Sequence, residues 1–262
     1  MNPILDNKDP DASSVFEPAA LLREARRQKG LLPASVPAFC ILDPDGDMTR
    51  RLRNSGQAKL SGNWPCYHTE LYEFTLADRT AGIIGCAVGA PFAVLVAEEL
   101  FACGCRLLIS VTSAGQINPM GQLPYFVVID RALRDEGTSY HYAAPATFAE
   151  ADPHLVEAAM RALTDKGLHA YVGMSWTTDA PFRETARAIE AARDKGALAV
   201  EMEAAALYTF ARRRGKAVLC LAHVTNTMGL ADRDFEKGEA DGTGDALMIL
   251  DVLARALLLA GS

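Results

Sequence analysis

The sequence predicts an α/β fold, in which helices cover a central β-sheet, and three observations carry this prediction. Apolar runs of strand length recur along the chain, segments with helical periodicity separate them, and linkers rich in Pro, Gly or Ser are absent. Continuous apolar runs, as opposed to alternating ones, are typical of strands that are buried on both faces. The predicted strands are 38–42, 81–88, 106–111, 125–129, 169–174, 197–202 and 217–224.

The predicted helices begin and end at residues with suitable capping chemistry. Pro91 opens one segment, and Asp152 precedes a proline at the start of another, as is common in the first helical turn. Gly167, Gly196 and Gly215 follow the ends of three segments. We therefore expect helices over 91–103, 152–165, 183–195, 203–214 and 245–260. Residues 1–15 are polar and acidic and predict a flexible arm, followed by one domain over 16–262.

Composition excludes several classes of function. The 262 residues carry a net charge of −7, which disfavours a broad surface for nucleic acid or anionic lipid. Apolar runs of membrane-spanning length are absent, and the polar first residues do not resemble a signal peptide. The six cysteines lack zinc-site spacing. We expect a cytoplasmic protein with reduced thiols, no metal, and no organic cofactor.

Candidate site residues follow the apolar runs, because ligands of open α/β sheets bind beyond the carboxyl ends of the strands. Gly89 opens a turn into a helix, which suits an anion but equally a tight strand–helix connection. Thr112 and Ser113 would form either a polar pocket floor or an ordinary loop. In the loop 175–184, Phe182 would stack on a planar ring or join the core, and Arg183 would bind carbonyl oxygens or a nearby acid.

The segment Glu201-Met202-Glu203 lies where an apolar strand is predicted to pass into an alanine-rich helix. Residues two apart in an extended segment face the same way, so the two carboxylates are expected to point together beyond the strand end. A carboxylate there can accept both protons of a sugar diol. A glutamate at a helix N-terminus also interacts favourably with the helix dipole, which explains Glu203 but not Glu201.

Four segments occur in the order found in one known family: GAPFAVLVAEEL (89–100), RDEGTSYHY (134–142), TTDAPFRET (177–185) and AVEMEAAALY (199–208). The chain resembles the nucleoside phosphorylase and nucleosidase superfamily, and most closely its uridine-phosphorylase-like branch. The resemblance spans about residues 37–258. It implies a single three-layer domain with a mixed, partly barrel-like sheet, assembly as a homotrimer or homohexamer, and cleavage of the N-glycosidic bond of a nucleoside.

The resemblance also implies roles for individual residues. Glu203 would hold the ribose hydroxyls, Glu201 would support that geometry, and Met202 would pack on the sugar. Phe182 would lie against the base, and Arg183 would bind its carbonyl edge.

The phosphate side of the family pattern is altered in this chain. Gly89 and Ser113 would lie near phosphate or ribose, but the arginine of a Gly-Asp-Pro-x-Arg motif is absent from 42–47, and Ser110 replaces a second arginine. Tyr67 lies in a segment that reaches a neighbouring subunit's site in relatives, and that segment also lacks an arginine. Asn226 stands where hydrolases and purine phosphorylases place a catalytic aspartate.

Three hypotheses follow from these departures. In the first, the protein is a phosphorylase with phosphate as co-substrate and a rebuilt anion site that uses Ser110, Thr112, Ser113 and Arg50. Alternatively, it is a phosphate-independent nucleoside hydrolase, or a nucleoside-binding protein that does not catalyse. The polar segment 231–245 is either a lid or a solvated loop.

Overall fold

The computed structural model describes residues 3–228 and 237–259. The helices are α1 Pro18–Lys29, α2 Asp47–Asn54, α3 Ala90–Ala102, α4 Pro153–Asp165, α5 Ala186–Asp194, α6 Ala204–Arg214 and α7 Thr243–Leu259. The strands are β1 Phe39–Asp43, β2 Lys59–Leu60, β3 Tyr72–Leu76, β4 Arg79–Gly85, β5 Leu107–Gln116, β6 Tyr125–Asp135, β7 Phe148–Glu150, β8 Tyr171–Thr178, β9 Ala199–Glu201 and β10 Ala217–Asn226.

The ten strands form one mixed sheet that is partly closed into a barrel. Its order is β10-β6-β8-β9-β5-β1-β4-β3-β2, with β7 paired to β6. Because β10 also pairs with β5, strands β5, β9, β8, β6 and β10 close into a ring. The pairs β1–β4, β1–β5 and β5–β10 are parallel, whereas β5–β9 and β6–β10 are antiparallel. The prediction of a mixed, partly barrel-like α/β sheet is confirmed.

Helices pack in two groups around the sheet. Helices α1, α3 and α6 form one group, and α2, α4 and α7 form the other. Burial of apolar strands on both faces accounts for the continuous apolar runs in the sequence. The largest fully buried side chains include Ile41, Leu42, Ile83, Leu108, Ile109, Ile129, Tyr208 and Phe210. Within the described ranges, no helix has both the length and the apolar character that crossing a membrane requires.

The predicted helices and strands are present, with shifted bounds. Asp152 caps α4 through a bond from the His154 amide to its carboxylate, 2.9 Å, and Gly215 ends α6 with a φ of 62°. Helix α5 begins at Ala186 because Pro181–Arg183 form a separate 3₁₀ turn and Thr185 caps the helix. Thr112–Gln116, which were predicted to follow a strand, lie within β5.

Five of the helices and strands were not predicted: α1, α2, β2, β3 and β7. Residues 3–15 contain neither helix nor strand, and Asp11 forms an ion pair with Arg213 at 2.8 Å. The flexible arm over 1–15 and the domain bounds remain predictions. The lid predicted over 231–245 falls partly outside the described residues, which resume at Lys237.

Candidate active site

The site forms at the edge of the sheet where the parallel strands β1, β4 and β5 end. Strand β4 leads through Gly89 into the N-terminus of α3, and β9 leads through Glu203 into α6. The Gly89 amide donates a hydrogen bond to Glu203 Oε1 at 2.7 Å. Gly89 has a φ of +86°, a conformation that residues with a Cβ rarely adopt, and a Cβ there would lie 4.0 Å from Met202 Cε. The positive φ, and not a lack of space, therefore favours glycine at this turn.

Glu203 is a buried carboxyl group that the protein satisfies only in part. Its residue is 1% exposed, and Oε2 has no hydrogen-bond partner in the part of the chain that the structure describes. Burial raises the pKa of Glu203 to about 8, and the charge of Glu201 adds to the rise, whereas the hydrogen bond from the Gly89 amide and the nearby hydroxyl of Thr112 oppose it. An unpartnered polar atom at a buried position is costly and often marks a place for a ligand.

Glu201 differs from Glu203 in being fully bonded. Its Oε1 accepts from Ser175 Oγ at 2.9 Å and Thr177 Oγ1 at 2.5 Å, both on β8. Its Oε2 accepts from the amides of Glu203 and Ala204, both at 2.7 Å. Burial raises the pKa of Glu201, although these four bonds oppose the rise. Glu201 thus joins β8 to the first turn of α6 and fixes the backbone that carries Glu203.

Thr112 and Ser113 are adjacent on β5, and their side chains contact different neighbours. Side chains alternate between the two sides of a strand. The Thr112 hydroxyl lies near Glu203, whereas Ser113 binds the loop that follows β1. The Ser113 amide donates to Asp45 Oδ2 at 3.0 Å, and Ser113 Oγ donates to Asp45 Oδ1 at 2.8 Å. One carboxylate therefore occupies both donors of Ser113.

The loop after β1 is rich in acids, and two cations lie beside it. Lys237 Nζ lies 2.6 Å from Asp47 Oδ2 and 3.9 Å from Asp45 Oδ2. Arg50, the predicted substitute for a phosphate-binding arginine, forms an ion pair with Asp47. Burial raises the pKa of Asp43 to about 6, and the charges of Asp45 and Asp47 add to this rise. Arg50 and Lys237 are thus already paired with carboxylates of the chain.

His223 completes this end of the site. It pairs with Ser113 across the parallel β10–β5 ladder and stacks on Phe126, with ring centroids 4.5 Å apart. Burial lowers the pKa of His223 to about 4, although the charge of Asp45 opposes the shift. The ring is therefore neutral at pH 7.

Asn226 lies buried at the end of β10 and bonds to backbone. In the amide orientation that satisfies both of its polar atoms, the side-chain nitrogen donates to the Ala114 carbonyl and the oxygen accepts from the Met228 amide, both at 3.2 Å. These bonds tie the ends of β5 and β10 to the chain that follows. The geometry gives Asn226 a positioning role, and its predicted catalytic role remains a prediction.

The predicted base-binding residues lie on the surface in this structure. Phe182 is 98% exposed, so it does not join the core, and Arg183 is also exposed. Both lie on the 3₁₀ turn Pro181–Arg183, beyond the end of β8. A hydrogen bond just before this turn helps to fix its position: the Gly137 amide donates to Asp179 Oδ2 at 2.8 Å.

Tyr67 is not brought to the Glu203 site within one chain. Its hydroxyl donates to Gln28 Oε1 at 2.8 Å, and Lys29 Nζ lies 5.3 Å from the ring centroid. Both partners belong to α1, so Tyr67 is placed on the outer surface of that helix.

Sequence reasoning missed Asp45, Lys237 and His223 as members of the site. Asp45 was noted only as one of the acids in a segment that lacks an arginine. Its position just after a predicted strand was the available signal, since strand-end residues of neighbouring strands meet at one edge of a sheet. The sequence did not indicate that this acid contacts Ser113, 68 residues further along the chain.

Comparison with known proteins identifies the family of the chain. A sequence model of the family described as the phosphorylase superfamily matches residues 38–255. A DeoD-type purine nucleoside phosphorylase of Bacillus thuringiensis (strain Al Hakam) is 30% identical over 159 residues, which are 58% of this chain and 66% of that protein. The chain thus spans slightly less than two thirds of the length of the curated relatives that it matches.

Two solved structures share the fold. A uridine phosphorylase from Vibrio fischeri ES114 has a TM-score of 0.70 at 24% identity, covering 85% of this chain and 92% of that one. A purine nucleoside phosphorylase from Toxoplasma gondii, in complex with immucillin-H, has a TM-score of 0.72 at 20% identity, covering 86% of this chain and 92% of that one. The likeness therefore extends over most of each chain.

Proposed function

Because the chain belongs to the phosphorylase superfamily, we propose that it cleaves the N-glycosidic bond of a nucleoside. The observation that carries this proposal is the buried Glu203 carboxyl group, whose Oε1 is held by Gly89 while Oε2 lacks a partner among the described residues. A sugar hydroxyl can donate to that free oxygen. The relatives that match the chain are named as phosphorylases of purine nucleosides and uridine, which supports a nucleoside as substrate.

Glu203 would stabilise the positive charge that develops in the sugar. As the glycosidic bond breaks, the ribose gains oxocarbenium character, and a carboxylate bonded to its hydroxyls stabilises the positive charge. The ionised form is needed for this effect. A pKa of about 8 means that the free protein holds Glu203 largely protonated at pH 7, so kcat/KM should rise with pH toward that value. Met202 would pack against the sugar, beside the open backbone at Gly89.

The base would bind at the 3₁₀ turn beyond β8. Arg183 can donate two parallel hydrogen bonds to carbonyl oxygens of a pyrimidine or an oxopurine, and this would relieve the negative charge of the departing base. Phe182 can stack on the ring once a ligand or a second subunit covers its exposed face. Tyr67 would contribute to the site of a neighbouring subunit, in a homotrimer or homohexamer.

The nucleophile has two candidates. The relatives' names favour phosphate as co-substrate and therefore pentosyl transfer, with Thr112 and Ser113 near the anion. The second candidate is water, and the observation that favours it is the Asp45 carboxylate on both Ser113 donors. A phosphate dianion would have to replace one carboxylate beside two others, Asp43 and Asp47. No metal or organic cofactor enters either scheme.

We propose a cytoplasmic location because of the oxidation state of the cysteines. All six are free, and unpaired thiols are typical of a reducing compartment.

The proposal is tested by incubating the protein with uridine, thymidine, inosine and adenosine, with and without phosphate, and measuring free base. Release that requires phosphate would establish pentosyl transfer, and release in phosphate-free buffer would establish hydrolysis. Tight nucleoside binding without release from any substrate would contradict the proposed activity and favour a binding role.

A further inference from the structure

The two donors of Ser113 bind an oxyanion that belongs to the chain itself. The backbone amide and the hydroxyl each donate to a different oxygen of Asp45, at 3.0 and 2.8 Å. A pair of donors that engages two oxygens of one anion gives geometric specificity as well as affinity. The structure therefore shows that this donor pair binds a carboxylate through both of its oxygens.

We propose that Asp45 determines which nucleophile the site accepts. Its carboxylate occupies the Ser113 donor pair and so competes with oxyanions from solution. This inference rests on the proposed function, because the donor pair is the place where phosphate would enter the site. An incoming oxyanion must displace the Asp45 carboxylate before it reaches these donors. The affinity for phosphate is thereby lowered, and the site favours a neutral nucleophile.

The surroundings of Asp45 provide a second position for the displaced carboxylate. Lys237 Nζ lies 3.9 Å from Asp45 Oδ2, while its close contact is with Asp47 at 2.6 Å. Rotation of Asp45 away from Ser113 can therefore shorten its contact with Lys237. The loop itself is held in place independently of this contact, since Asp43 Oδ2 accepts from the Thr49 amide and hydroxyl, both at 2.8 Å. Asp45 can move without unravelling the start of α2.

Among the described residues, the other groups that face the donor pair do not offer an incoming anion an additional positive charge. His223, across from Ser113, is neutral because burial lowers its pKa to about 4. Arg50 is paired with Asp47 and donates to the Asp45 carbonyl at 3.1 Å. The anion affinity of this end is thus set by whether the Asp45 carboxylate occupies the Ser113 donors.

The test is a calorimetric titration of the full chain with inorganic phosphate, in the absence of nucleoside. We expect Asp45→Ala to bind phosphate about tenfold or more tightly than the unmodified protein, as expected when two charge-assisted hydrogen bonds become available. The control Asp245→Ala removes another negative charge that acts on this end of the site, without freeing Ser113 and without unpairing Arg50 or Lys237, and should change the affinity by less than about threefold. Adding Ser113→Ala to Asp45→Ala removes the hydroxyl donor and leaves the backbone amide, so it should reverse part of the gain.

Unchanged or weaker phosphate binding by Asp45→Ala would overturn the proposal, as would an equal gain in Asp245→Ala, which would indicate general charge repulsion. If Asp45→Ala does not fold, Asp45→Asn keeps the size of the side chain and should shift the affinity in the same direction. Because the titration needs no turnover, a failure of nucleoside cleavage does not affect how the result is interpreted.

Discussion

Glu201 and Glu203 are two residues apart and both buried, yet the structure treats them in opposite ways. Glu201 accepts four hydrogen bonds from two elements, whereas Glu203 accepts one from Gly89 on Oε1 and none on Oε2 among the described residues. Burial raises the pKa of both. The difference shows that burial alone does not identify a functional carboxylate. The number of donors that the fold supplies separates the carboxylate that stabilises the structure from the one that remains available to a ligand.

The largest effect that we expect from this comparison is a loss of catalytic activity when Glu203 is replaced. Glu203→Gln keeps the size of the side chain and can still accept from Gly89, but it cannot become an anion. We expect kcat/KM for base release to fall by about 10²–10³-fold or more, as when one preorganised electrostatic group is removed. Steady-state kinetics with the best substrate of the nucleoside panel would measure this.

Glu99→Gln is the matched control for that experiment. Glu99 is 2% exposed on α3, and its two oxygens also lack hydrogen-bond partners in the described residues. It should lose little activity. A fall of less than about tenfold in Glu203→Gln would remove Glu203 from the catalytic role.

The second prediction concerns stability at Glu201. Glu201→Ala leaves the hydroxyls of Ser175 and Thr177 and two amides of the first turn of α6 without their acceptor. We expect a loss of about 3 kcal/mol in the free energy of unfolding, or more, because each orphaned buried donor carries a desolvation cost. Urea unfolding would measure it. Glu203→Ala should cost about 1 kcal/mol, since one bond is lost. Equal losses in the two variants would contradict the division of roles.

The third prediction concerns the pH dependence of stability. The pKa of Glu203 is raised from an ordinary value of 4.5 to about 8, so the folded state takes up a proton that the unfolded state releases. The resulting stability is fully present below pH 4.5 and is lost as the pH rises through 8. The melting temperature should therefore fall less between about pH 5 and about pH 8.5 in Glu203→Gln than in the unmodified protein.

Other groups with raised pKa values titrate in the same range but do not obscure this comparison. The pKa of Asp43 is about 6 and that of Glu184 about 7, both raised first by burial. Both are present in the two proteins, so the difference between the curves reports Glu203 together with its electrostatic interaction with Glu201. Parallel curves would show that Glu203 is not the group that titrates near pH 8.

The sequence predicted the elements whose signal is local. Continuous apolar runs located seven of the strands, and the junction at Glu203 was placed within one residue of the start of α6. Helix α1 was missed because its segment is rich in charged residues and was adjacent to a polar arm. Strand β3 was missed because it alternates polar and apolar residues instead of forming a continuous apolar run.

The candidate site was predicted in part for the same reason. Gly89 bonds to Glu203 and lies beside Met202 because these residues lie at the ends of neighbouring elements, and their roles in binding remain predictions. The partners of each carboxylate could not be predicted, since the donors come from positions up to 114 residues away. Phe182 and Tyr67 depend on surfaces that one chain leaves exposed, and the sequence of one chain does not reveal what covers them.

The sequence by itself determined the α/β class, the strands with continuous apolar runs and the pair of glutamates at the β9–α6 junction, because periodicity and turn chemistry act over a few residues. Only the tertiary structure decided that Glu201 is saturated with donors, that Glu203 keeps one oxygen without a partner among the described residues, and that Asp45 fills the Ser113 pair. Hydrogen bonds and desolvation depend on which distant residues the closed ring of strands brings within about 3 Å, and local patterns carry no information about those distances.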